Sequence, residues 1–259
     1  MLHYYHSFLP PYFHLWNIPF LFVTNLISES MGALVGGGSI VTLPVMLFIG
    51  APLQAAIATD NAASLGTEAG ILTETWQKVM ANKRLVVIMM IPSLLGGIVG
   101  TRFLLTISAT IIKYLMVAAV VLLLAYTYFS KSKPNPSHIT KSHYVLLIIF
   151  LFLSGLYVNF IGLGAGTFAR IGLMSVLGMS FIQSQGLKSA STMPTLMYSL
   201  IVTGIAGLIL WPYLLTKWCA NFIAGKYATR FVKKIPDVYL KAVLTILSIA
   251  FVIYLLFFY

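Results

Sequence analysis

The chain has 259 residues, 59% of them hydrophobic and 8% charged, with a mean hydropathy of +0.96. Usage this far from that of soluble globular proteins makes lipid the solvent and excludes a soluble domain. The net charge of +11 does not mark a nucleic-acid binder, because the cations sit in short loops between apolar segments, where they orient a chain in a bilayer.

The first apolar stretch runs from about residue 13 to residue 50 and is interrupted by Pro19, Glu29 and the run Gly36, Gly37, Gly38. A single crossing needs about 20 residues, so this stretch is expected to break at its glycines. Spans follow at about 54–76, 84–104 and 109–129. The polar segment 130–142 holds Pro134 and Pro136 with Lys131, Lys133 and Lys141, and it is expected to be the loop between two halves. A second overlong stretch, about 143–178, carries Gly162, Gly164 and Gly166, and three more spans are expected at about 182–204, 208–230 and 238–258. The predicted fold is an all-α polytopic membrane protein with one membrane domain over 1–259.

The order of elements repeats. A shift of 128 residues pairs Gly36, Gly38, Met46, Gly50 and Ala62 with Gly164, Gly166, Met174, Gly178 and Ala190. It also pairs Gly97 with Gly225, and Thr101, Arg102 and Phe103 with Thr229, Arg230 and Phe231. Apolar composition does not explain shared glycines and a shared Thr-Arg-Phe, so an internal duplication is expected, with repeats at 13–129 and 143–258.

Loop cations decide whether the repeats are parallel or inverted. If each long stretch crosses once, the cations divide seven against six. If each goes in and comes back, as two short crossings or as a re-entrant hairpin, they divide ten against three, with Lys217 in the minority. The second division is the one that positive-inside sorting produces. Inverted repeats are therefore expected, with both termini outside the cytoplasm of a bacterial inner-membrane, multi-pass protein.

Cys219 is the single cysteine, which rules out an internal disulfide and any multi-cysteine metal or redox motif. The histidines, His3, His6, His14, His138 and His143, fall in the N-terminal segment and one loop, where a solvated or interfacial terminus is a better account than metal binding. The first residues lack a basic segment and a small-residue cleavage site, so no signal peptide is expected. Nothing resembles a nucleotide-binding loop. No cofactor or metal is expected.

The run from Gly32 to Pro44, followed by Gly50-Ala-Pro and Ala58-Thr-Asp-Asn61, has an echo in Gly162-Leu-Gly-Ala-Gly-Thr167, Gly178-Met-Ser and Gly186-Leu-Lys188. These motifs resemble the TauE/SafE family of sulfite exporters and related permeases, in both halves. The resemblance implies a duplicated permease fold that moves a small anion, sulfur-containing such as sulfite, a sulfonate or thiosulfate, or a related carbon compound. One position departs from the family pattern, which often has an asparagine three residues after the lysine: here it is Ser191.

Candidate binding residues come from breaks and buried charges. Gly36, Gly37 and Gly38, like Gly164 and Gly166, weaken a helix and expose backbone amides. A half-helix starting beyond them, at Ser39 or Thr167, would offer partial positive charge to an anion. The alternative is close helix packing without a ligand. Asp60, with its neighbour Asn61, and Lys188 occupy equivalent places about 12 Å into their spans, near mid-membrane. Ionisable groups there mark a substrate or proton path. Lys188 is the expected anion ligand, with Asp60 expected to hold Lys188 or to carry a proton; a static Asp60–Lys188 pair is the bland reading. Arg170 is either a bidentate oxyanion donor or a snorkelling cation. Glu68 is a second proton-coupling candidate, Glu74 is expected at an interface, and Glu29 takes no assignment. Arg102 and Arg230 are expected to be topological anchors. Two other classes remain: a membrane-embedded enzyme, disfavoured because no nucleophile–base pair or metal cluster falls in the spans, and a non-transporting subunit of a larger complex. Oligomeric state is not encoded in any of these features.

Overall fold

The computed structural model describes residues 14–35, 38–129, 141–162 and 181–231, with residues 170, 173, 177, 179, 246, 249, 252, 253, 256 and 257. Gly36, Gly37, Gly164, Gly166, Thr167 and most of the expected last span lie outside the described residues. Among the described residues every regular element is a helix: α1 (Asn17–Val35), α2 (Ser39–Phe48), α3 (Leu53–Ala81), α4 (Lys83–Thr106), α5 (Ala109–Phe129), α6 (Lys141–Phe160), α7 (Phe181–Ile205) and α8 (Trp211–Phe231).

The first long stretch divides where its glycines fall. α2 has 10 residues, about 15 Å of helix, half of a hydrocarbon core of about 30 Å. Its C-cap, Ile49, is followed by Gly50, whose φ of 90° only glycine adopts without strain.

Side-chain contacts give the direction of each helix. α3 runs parallel to α8: the Leu210 amide donates to Thr59 Oγ1 at 3.0 Å, Gly66 packs on the Trp218 carbonyl, Gly70 on that of Phe222, and Arg230 pairs with Glu74 at 2.7 Å. α1 runs the same way, with Asn17 Nδ2 donating to the Tyr213 hydroxyl at one end and Gln185 bridging the Ala33 carbonyl and Thr229 at the other. α7 crosses α3 antiparallel, since Gly186 meets Thr75 while Lys188, further along, meets Glu68. α6 lies parallel to α4, Gly96 packing on the Phe152 carbonyl and Gly100 on that of Leu156. α1, α3 and α8 therefore point one way, and α4, α6 and α7 the other.

The glycines let backbones touch. A β-carbon at Gly66, Gly70 or Gly225 would strike the carbonyl of the facing helix, and the same holds at Gly96, Gly100 and Gly155 between α4 and α6. Small residues are how helices approach closely in lipid, where no hydrophobic force drives them together.

Polarity is distributed inside out. Val87, Ile88, Ile91 and Leu95 on α4, Ile148, Ile149 and Leu153 on α6, and Leu215, Trp218 and Phe222 on α8 are exposed. Asn25, Glu29, Asp60, Glu68, Asn159, Gln185, Lys188 and Lys217 are buried. Such a surface is stable against hydrocarbon and unstable against water.

Candidate functional site

Inside the bundle lies a cavity of about 60 Å³, lined by Glu29, Gly32, Gly38 and Ser39 from the α1–α2 break, Asn61, Thr67 and Glu68 from α3, Gly162 after α6, Arg170, and Lys188 and Thr192 from α7. It has room for a few waters or one small oxyanion. Five segments converge there because the first overlong stretch breaks between α1 and α2 and the α6 helix finishes beside the same cavity at Gly162, and only a helix that ends within the bundle brings its terminus to the inside.

Four lining side chains carry charge. Lys188 is 7% exposed and forms an ion pair with Glu68 Oε1, leaving Glu68 Oε2 buried with no hydrogen-bond partner. Arg170, 4% exposed, donates to the carbonyls of Ala33 at 3.4 Å and Gly32 at 3.3 Å. It is not snorkelling to an interface. Glu29, 5% exposed, accepts from Thr67 Oγ1 at 2.8 Å. Its carboxyl also lies against Gly38, where a β-carbon would overlap it. Among the described residues Glu29 forms no ion pair.

Gly38 is the N-cap of α2 and Ser39 its first residue. The first amides of that helix have no intrahelical acceptor and carry partial positive charge into the cavity wall. Asn61, also on the wall, donates through Nδ2 to the Asn159 carbonyl at 3.3 Å. Its Oδ1 sits beside Gly162, the φ +80° residue that follows the end of α6.

The expected contact between Asp60 and Lys188 is not formed. Asp60 pairs with Lys217 at 2.8 Å and accepts from Thr42 Oγ1 at 2.6 Å, and it does not line the cavity. The cause is the antiparallel crossing of α3 and α7. Positions equivalent by duplication move apart on either side of the crossing point, so Lys188 meets Glu68, about 12 Å or two turns beyond Asp60. Lys217 also corrects the topological count: its side chain is 0% exposed, so it is a buried ion-pair partner and not a loop cation. Sequence reasoning left Glu29 without a role. Its signal was an acidic residue in an otherwise apolar stretch, which lipid tolerates only with a function or a partner. Glu74, expected at an interface, pairs with the half-exposed Arg230. Among the described residues no group of three His, Cys, Asp or Glu side chains could hold a metal ion.

An apolar exterior around helices that close four charged side chains over an internal cavity defines a polytopic membrane protein with a polar site at its centre. Residues 21–255 match the model of the sulfite exporter TauE/SafE family, and the chain belongs to that family. It is similar to a probable membrane transporter protein (ORF9) of a Sinorhizobium species, at 23% identity over 94% of this chain and 93% of the relative. It is also similar to a probable membrane transporter protein of Haemophilus influenzae, at 23% identity over 74% of this chain and 75% of the relative. The chain is thus a multi-pass membrane protein of a transporter family.

Proposed function

We propose that the chain is a secondary transporter of a small anion, sulfur-containing such as sulfite, a sulfonate or thiosulfate, in the bacterial inner membrane. The observation that carries this reading is one cavity lined both by two cations, Lys188 and Arg170, and by the N-terminus of α2 at Gly38 and Ser39. Arg170 presents a planar fork suited to an oxyanion, Lys188 a mobile point charge, and Ser39 with the first α2 amides a set of donors. The family's sulfite exporters and the relatives named as membrane transporters point the same way.

Inverted repeats account for how the site is built. Under the duplication α1 is equivalent to α6, α3 to α7 and α4 to α8. The first two members of each set share a direction and the third opposes them, and the directions are reversed between sets. The α4–α6 contact is mirrored by α8–α1, and the α3–α8 contact by α7–α4. Such a pair of repeats can rock about a central site, exposing it to each side in turn. The test is a thermal-stability screen of purified protein against sulfite, thiosulfate, methanesulfonate, sulfate and acetate, followed by flux into liposomes. A true ligand stabilises the fold by mass action. Stabilisation by none of the sulfur oxyanions, with no flux, sinks the proposal.

A further inference from the structure

We propose that Glu29 binds the proton that travels with the anion, so that the transporter is a proton–anion symporter whose coupling group is the carboxyl at the α1–α2 break. The inference rests on the anion-transport reading above and assigns the residue which that reading leaves unused. Three buried carboxylates lie in this region, and two have a lysine: Asp60 has Lys217, and Glu68 has Lys188. Protonating either would strand a buried ammonium. Glu29 has only the Thr67 hydroxyl, so it can gain or lose a proton without breaking an ion pair.

Its position makes that proton matter. The Glu29 carboxyl rests on Gly38, the N-cap of α2, and on the same cavity wall as Ser39. Ionised, it is a tethered anion occupying the partial positive charge that the substrate would use. Protonated, it releases that charge. The charges facing it fit the same scheme: Asp60 and Glu68 on α3, Lys217 on α8, Lys188 on α7, and Arg170. Lys188 and Glu68 cancel, as do Lys217 and Asp60. With Glu29 ionised, the charges of these six groups sum to zero, and the cavity region is neutral. With Glu29 protonated it carries one positive charge and accepts one negative charge. Linkage is reciprocal, so anion binding favours proton uptake and proton binding favours anion uptake. The two move together, electroneutrally for a monoanion, in the direction set by the sum of their gradients.

The experiment measures apparent affinity of purified protein for methanesulfonate and thiosulfate, whose charges do not change across roughly pH 5 to 8. Wild-type affinity should fall by about tenfold for each pH unit above the Glu29 transition, the slope for one linked proton. Glu29→Gln should bind with no such slope, and Glu29→Asp should keep it. In liposomes an inward pH gradient should drive wild-type accumulation of the same probe, and should not drive it in Glu29→Gln. A wild-type affinity independent of pH overturns the inference whatever the variants do, and so does a Glu29→Gln protein that retains the slope. Failure of wild type to bind either probe at any pH rejects the anion reading itself, a different outcome from binding without proton linkage.

Discussion

Lys188 and Lys217 are both buried beside a carboxylate, but only Lys188 faces the cavity. That difference separates their variants. Lys217→Met leaves Asp60 buried without its cation, and should destabilise the protein by about 3–5 kcal/mol. Adding Asp60→Asn should restore both stability and transport, because the pair only holds α3 to α8. Lys188→Met should likewise strand Glu68, and Glu68→Gln should restore stability in the double variant. Anion binding should stay absent there, since the substrate's positive partner is still missing. A double-mutant cycle read by thermal unfolding and by ligand binding checks both pairs. Recovery of binding in Lys188→Met/Glu68→Gln would reduce that pair to packing as well.

Glycines do two kinds of work among the helices, and substitution tells them apart. Gly66 and Gly70 set the α3–α8 separation, with backbone of one helix against backbone of the other. Gly66→Leu should cost about 1–3 kcal/mol or more through overpacking, visible as a lower unfolding temperature and reduced yield in the membrane. Gly38 meets the end of a flexible side chain, the Glu29 carboxyl, at the start of α2. Gly38→Leu should therefore leave insertion and yield largely intact and abolish flux, because the new side chain fills the space in front of the α2 amides. Normal flux in Gly38→Leu would return that glycine to packing.

At the scale of the whole molecule, helix direction and charge agree. The end of the bundle where α3 and α8 finish and α4 and α6 begin holds Lys78, Lys83, Arg84, Lys141 and Arg230. The opposite end holds the starts of α1, α3 and α8. With Lys217 removed from the loops, the division of ten against three becomes ten against two. Positive-inside sorting should then put the cation-rich end in the cytoplasm. Reporter fusions at Asn82 and in segment 130–142 should read inside, while fusions at Ser108 and at the C-terminus should read outside. A cytoplasmic C-terminus would remove the inverted-repeat account.

Hydropathy and turn chemistry by themselves determined the solvent, the all-helical class and the limits of α4, α5, α7 and α8 to within three residues, because a lipid-exposed span must satisfy its backbone internally and must be apolar for about 20 residues. The glycine run also marked the α1–α2 break, and the depth of Asp60, Glu68 and Lys188 marked them as buried. Which carboxylate each lysine meets was decided only by the tertiary structure. The 128-residue offset states which positions are equivalent, whereas contact depends on where two antiparallel helices cross. The same limit hid Lys217, whose burial depends on α8 facing α3, and Glu29, whose place against the start of α2 depends on Gly38 folding back onto it. Periodicity along one chain records what each helix must bury; the partner it buries against is set by packing between helices far apart in sequence.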